Sequence, residues 1–132
     1  MKPYSSHQKR IKDAQRESLY FREISSLFMR IVMENDKFLG LSVIRVSLAK
    51  NGSLCNVHFY TDKGKDYFNS ILKDLTLYKP SIRSSIASHI QKRYTPDLRF
   101  IFDNSIEKEF RINTLLDRVS EEESKDDLSS ND

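Results

Sequence analysis

Apolar residues recur at helical spacing along the first quarter of the chain. Between Gln8 and Glu34 they fall mostly three or four positions apart, as on the buried stripe of an amphipathic helix. The stripe consists of Ile11, Tyr20, Ile24, Leu27, Phe28 and Ile31. Lys and Arg dominate the polar side, and Asn35-Asp36 ends the pattern before Gly40. We therefore predict a long first helix with one buried and one basic face.

Two alternating segments follow this helix. Residues Ser42–Leu48 and Leu54–Thr61 place apolar side chains at every second position, which is typical of strands with one buried face. The dipeptide Asn51-Gly52 between them favours the tight turn of a β-hairpin. We expect the inward side chains to be Ile44, Val46 and Leu48 on the first strand and Cys55, Val57 and Phe59 on the second.

The second half of the chain predicts helices around one further strand. A helical pattern covers Lys63–Tyr78, and Pro80 suits the first turn of a new helix. Pro96 ends that helix and precedes an alternating strand, Leu98–Phe102, after which Ser105 is a suitable N-cap for a last helix. The predicted fold is α+β in the order α-β-β-α-α-β-α, with helices packed on one face of a three-stranded sheet.

This order is that of a type II KH domain, although other small α+β layers share it. KH domains bind single-stranded nucleic acid through a GXXG loop between two helices. No GXXG occurs among the three glycines of this chain. The element order therefore leaves the choice of KH fold open.

Charge is unevenly distributed along the chain. Residues 1–119 contain 21 Lys and Arg against 13 Asp and Glu, a net charge of +8, whereas residues 120–132 have a net charge of -5. A basic body favours a polyanionic partner. The acidic segment has one Leu and no aromatic residue, so we expect a domain at 1–119 and a disordered tail at 120–132.

Composition excludes several classes of protein. At 132 residues and 38% hydrophobic content the chain suffices for one soluble domain. No membrane-spanning run or secretory signal is visible, so we expect a cytoplasmic protein. The single cysteine, Cys55, and the lack of HExxH, GxxxxGK or GxSxG motifs predict no metal, cofactor, small-molecule substrate or catalytic site.

Two segments near the C-terminus resemble one known family. Residues 81–105 resemble the "IR…L…R..P.L.F..D.S" signature of the ribosome-binding factor A family, and Arg111–Leu116 resembles its "RI..LL" motif. Weaker similarities occur at Arg22–Ser25 and at Val46-Ser47. The resemblance covers the chain from about Arg10 to Val119.

The resemblance implies a type II KH-like fold in which a helix-kink-helix replaces the GXXG loop. The family's usual Ala-x-Gly kink aligns with Tyr78, Lys79 and Pro80, and proline also interrupts a helix. The resemblance further implies a monomeric, non-catalytic assembly factor. Such a factor binds the immature small (30S) ribosomal subunit through its 16S rRNA, assists maturation and pre-rRNA processing, and supports growth in the cold.

Candidate RNA contacts fall in two basic groups. The group around the predicted kink comprises Lys79, Ser81, Arg83, His89, Lys92 and Arg93. The group on the first helix comprises Lys9, Lys12 and Arg16. Guanidinium and ammonium groups and the free N–H groups of a helix N-terminus all bind phosphate. A solvated helix face is the alternative for both groups. The alternative function is a protein-interaction adaptor that uses the exposed sheet face or the last helix.

Overall fold

The structure, a computed structural model, describes residues 6–49, 52–90 and 94–129, with side chains over 11–49, 52–90 and 94–120. Its elements are α1 (Ser6–Glu34), a 3₁₀ helix (Asp36–Phe38), β1 (Ser42–Ala49), β2 (Leu54–Tyr60), α2 (Lys65–Thr76), α3 (Lys79–His89), β3 (Asp97–Phe102) and α4 (Ser105–Ser129). The predicted α+β class and element order are confirmed.

The sheet has the order β1-β2-β3 within the described residues. The central strand β2 pairs antiparallel with β1 and parallel with β3. Val57 lies opposite Val46 on one side and Phe100 on the other, and all three are buried. The predicted hairpin is therefore present, whereas Asn51 of its turn lies outside the described residues.

One hydrophobic core joins the inner sheet face to α1, α2 and α3. From α1 it takes Tyr20, Ile24, Phe28 and Ile31, as the periodicity predicts, whereas Ile11, predicted on the same stripe, is 47% exposed. Phe59 is fully buried in this core. The ring centroids of Phe28 and Phe100 each lie 5.2 Å from that of Phe59, in edge-on geometry. The contact with Phe28 thus holds α1 against β2.

An irregularity in β1 alters the predicted inward face of that strand. The pairing register shifts between Val43 and Arg45, so Val43 lies opposite Phe59 and packs against the core. Ile44, predicted to face inward with Val46, occupies the bulge and is not part of the core cluster. A bulge inserts one residue into the strand and thereby reverses the alternation beyond it.

The chain from Asp103 onward forms a second compact unit, which contains α4. The Asp103 carboxylate accepts a hydrogen bond from the Ser105 N–H at 2.9 Å, so Ser105 is the first helical residue and not the N-cap. The helix continues to Ser129, into the segment for which the sequence predicts disorder. Its residues include no Gly or Pro and five Glu, a residue that favours helix. The predicted boundary at residue 119 thus does not coincide with a helix end.

Candidate nucleic-acid interface

The junction between α2 and α3 is a kink and not a loop. Only Leu77 and Tyr78 separate the two helices, and both have helical backbone angles (φ -63°, ψ -20° and φ -87°, ψ -4°). Pro80 lies in the first turn of α3, where a missing N–H interrupts no helical hydrogen bond. The Ile82 N–H donates to the Tyr78 carbonyl at 3.0 Å. The predicted helix-kink-helix is therefore present.

Aromatic contacts fix the residues of this kink. The Tyr78 ring packs edge-on against Phe38, with centroids 5.5 Å apart. The Lys79 ammonium lies 5.3 Å from the centroid of the Phe100 ring, and its side chain is half-buried. By contrast, Leu77 is 76% exposed and Ser81 is also exposed. The kink thus presents Leu77 and the first turn of α3 to solvent.

The guanidinium of Arg83 links α3 to the segment that enters β3. Its Nε donates to the Pro96 carbonyl at 3.2 Å and its Nη2 donates to the Thr95 carbonyl at 3.3 Å. Nη2 also lies 3.5 Å from Oδ1 of Asp97. These three contacts use Nε and Nη2 of the guanidinium, which the sequence predicts to bind phosphate. Arg83 therefore positions α3 within the protein.

His89 at the end of α3 takes part in a contact with α1. Its Nδ1 lies 2.9 Å from Oε1 of Glu23 and 2.9 Å from the Ser85 carbonyl oxygen. The Ser85 hydroxyl donates to the same Glu23 oxygen at 2.6 Å. Two side chains of α3 thus converge on one carboxylate of α1. This arrangement holds the two helices together.

The predicted basic residues of α1 differ in their exposure and in what they contact. Lys12 is exposed, but Arg16 is half-buried, and its Nη1 lies only 2.9 Å from where a Cβ on Gly52 would stand. Burial raises the pKa of Tyr20, and the nearby Arg16 charge partly opposes that shift. Arg16 is therefore directed at the β1–β2 hairpin. The side chain of Lys9 lies outside the described residues.

The remaining predicted contacts follow the end of α3. Lys92 and Arg93 lie outside the described residues. Tyr94 directly after them is 74% exposed. An exposed aromatic ring can stack on an unpaired base. The sequence feature that could have indicated Tyr94 as a candidate contact is its position between Lys92-Arg93 and Thr95-Pro96.

The described residues outside these helices offer little reactive chemistry. Cys55 is fully buried, and burial raises the pKa of its thiol to about 12, as expected for a core thiol. His58 is also buried, with its Nε2 3.0 Å from the Ser47 hydroxyl. Over the described ranges, no group of His, Cys, Asp and Glu could hold a metal ion, and no helix is apolar enough over sufficient length to span a bilayer.

Comparison with known proteins relates this architecture to one family. Residues 12–116 match the family Ribosome-binding factor A. A relative of that name from Dehalococcoides mccartyi is 31% identical over 108 residues, which cover 82% of this chain and 92% of the relative. Another, from Syntrophomonas wolfei, is 31% identical over 76% of this chain and 86% of its own length.

Solved structures show the same fold. The crystal structure of ribosome-binding factor A from Thermus thermophilus superposes with a TM-score of 0.57 at 21% identity, covering 67% of this chain and 93% of that one. A homology model of the Thermus thermophilus protein, fitted into the cryo-EM map of its complex with 30S, gives a TM-score of 0.50 at 22% identity, over 70% of this chain and 92% of that one. The predicted type II KH-like fold is thus confirmed. By both sequence and fold, the chain belongs to the ribosome-binding factor A family.

Proposed function

We propose that this protein is a non-catalytic assembly factor that binds the immature 30S subunit through 16S rRNA in the cytoplasm. The observation that supports this most is the family match over residues 12–116. A basic body of net charge +8 over residues 1–119 is consistent with it, because phosphate neutralisation releases counterions. The protein acts by binding alone: it stabilises one rRNA conformation, which assists maturation and pre-rRNA processing, also in the cold.

Within this proposal, the RNA lies against the kink and the first turn of α3. Lys79 and Ser81 stand there at the positive end of the helix dipole, where no side chain caps the N-terminus of α3. Lys92, Arg93 and the exposed Tyr94 follow the other end of α3 and supply charge and a stacking surface. Arg83 and His89 contribute by holding α3 against β3 and α1.

Ser81→Glu tests this placement. A carboxylate there repels phosphate, whereas it interacts favourably with the N-terminal end of α3 and leaves the fold stable. Ser105→Glu is the matched control, because Ser105 is also an exposed serine in the first turn of a helix. Affinity for purified immature 30S subunits is measured by co-sedimentation over a range of salt concentrations.

We expect the unmodified protein to bind with an affinity that falls steeply as salt rises. Ser81→Glu should weaken binding roughly tenfold, since like charges placed together across an interface repel strongly. Ser105→Glu should bind as the unmodified protein does. No binding at any salt would refute the assembly function, and salt-independent binding would favour the protein-interaction adaptor. If the two variants bound equally well, the RNA would have to contact a surface other than the kink.

A further inference from the structure

A groove runs between α1 and the outer side of β1, away from the kink. It is an open hollow of about 840 Å³ that adjoins a second hollow of about 520 Å³. Phe21, Ser25 and Met29 line both parts. Small side chains of α1, among them Ala14 and Ser18, leave the first part open. The groove therefore has the form of a continuous channel beside a strand.

Backbone groups of β1 face this channel. Within the described residues β1 is an edge strand. The Leu48 N–H donates to Oε1 of Glu17 at 3.0 Å, so it points away from β2 and toward α1. In an antiparallel strand, the N–H and C=O groups of every second residue point to the same edge. Those of Val46, two residues before Leu48, therefore also point away from β2. Glu17 thus occupies the position that the carbonyl of an additional strand would take.

The outward backbone of β1 indicates the kind of ligand that would fit the channel. The N–H and C=O of Val46 need an acceptor and a donor on the same side, and an extended peptide backbone offers both.

The walls and rim define the side chains that such a peptide would carry. The β1 bulge lies at Ile44, which lines the channel together with Phe21. Met29 is 70% exposed and Met33 is 86% exposed, and unbranched methionine side chains adapt to varied apolar groups. Arg22 also lines the channel, whereas the one carboxylate in its lining, Glu17, accepts the Leu48 N–H. The channel thus combines apolar walls with a positively charged rim.

We propose that this channel binds an extended segment of a partner protein, with alternating apolar and acidic side chains, as a short fourth strand beside β1. The segment pairs with the backbone N–H and C=O of Val46. Its apolar side chains pack between Phe21 and Met29, and its carboxylates face Arg22. Strand addition of this kind derives affinity from main-chain hydrogen bonds and specificity from alternate side chains. The inference goes beyond RNA binding at the kink and does not depend on it.

Peptide display on the intact protein tests the proposal. A phage-displayed library of random peptides is selected for binding, with counter-selection against Ser18→Trp, which fills the channel from an exposed helical position. Ser88→Trp is the matched control, because Ser88 is an exposed serine on α3. A selected peptide is then synthesised with and without N-methyl groups on alternate backbone nitrogens. Its Kd and the hydrogen exchange of the Val46 amide are measured.

The expected peptides alternate apolar and acidic residues. They should slow exchange at Val46 and lose about tenfold or more in affinity with Ser18→Trp or with N-methylation, but not with Ser88→Trp. The proposal is overturned if no peptide is enriched against the counter-selection, or if N-methylated peptides bind equally well. It is also overturned if an oligouridylate displaces the peptide and protects Val46, which would assign the channel to RNA.

Discussion

Removal of the Arg83 guanidinium distinguishes a residue that positions α3 from one that binds phosphate. Arg83→Met keeps most of the aliphatic stem and deletes the groups that contact Pro96, Thr95 and Asp97. If these contacts are the residue's main role, the variant loses stability, and its binding to RNA changes little once it is folded. If Arg83 instead binds phosphate, the variant keeps its stability and loses affinity.

The expected loss of stability follows from the exposure of these groups. Hydrogen bonds from a charged donor contribute about 1.5 to 3 kcal/mol each. The Arg83 side chain is 45% exposed, so water replaces much of both bonds to the carbonyls. The ion pair with Asp97, which is 77% exposed, adds about 0 to 1 kcal/mol. We therefore expect Arg83→Met to lower the free energy of unfolding by about 1 to 2 kcal/mol, and Tm by about 2 to 8 °C.

Urea unfolding followed by circular dichroism measures this loss. Arg99→Met is the control, because Arg99 is an exposed arginine on β3 and the matched change removes the same charge. Both variants are also tested for 30S binding at several salt concentrations. A stability within about 0.3 kcal/mol of the unmodified protein, together with a shallower salt dependence for Arg83→Met alone, would refute the positioning role.

Two further predictions concern charge and pH. Burial raises the pKa of Cys55 from its ordinary 9.0 to about 12, so above pH 9 the thiolate forms only in the unfolded chain, and the free energy of unfolding should fall as pH rises toward 12. Urea titrations at increasing pH should show this contribution as a steeper decline than in Cys55→Ala, whereas parallel curves would contradict it. Deletion of residues 120–132 raises the formal charge from +3 to +8 and should increase nonspecific affinity for single-stranded RNA at low salt. Fluorescence anisotropy with a labelled oligouridylate measures this change, and an unchanged Kd would contradict it.

Hydrophobic periodicity and turn residues determined most of the fold. The spacing of apolar residues in α1 identified the side chains that the core buries, from Tyr20 to Ile31. Asn51-Gly52 indicated the hairpin, and Pro80 located the start of α3 within one residue. These features depend on backbone preferences and side-chain burial, which act over a few neighbouring residues. The charge of the body is likewise a property of composition alone.

Tertiary structure decided which of the basic residues remain available to a partner. Helical spacing placed Arg83 and Arg16 on polar faces, but it could not reveal that carbonyls of Thr95 and Pro96, or the turn at Gly52, lie within reach. The bulge at Ile44 was equally hidden, because strict alternation gives no sign of an extra residue. Hydrogen bonds between segments that are distant in sequence form only when the tertiary fold brings those segments together. Local sequence patterns do not specify which distant segments become neighbours.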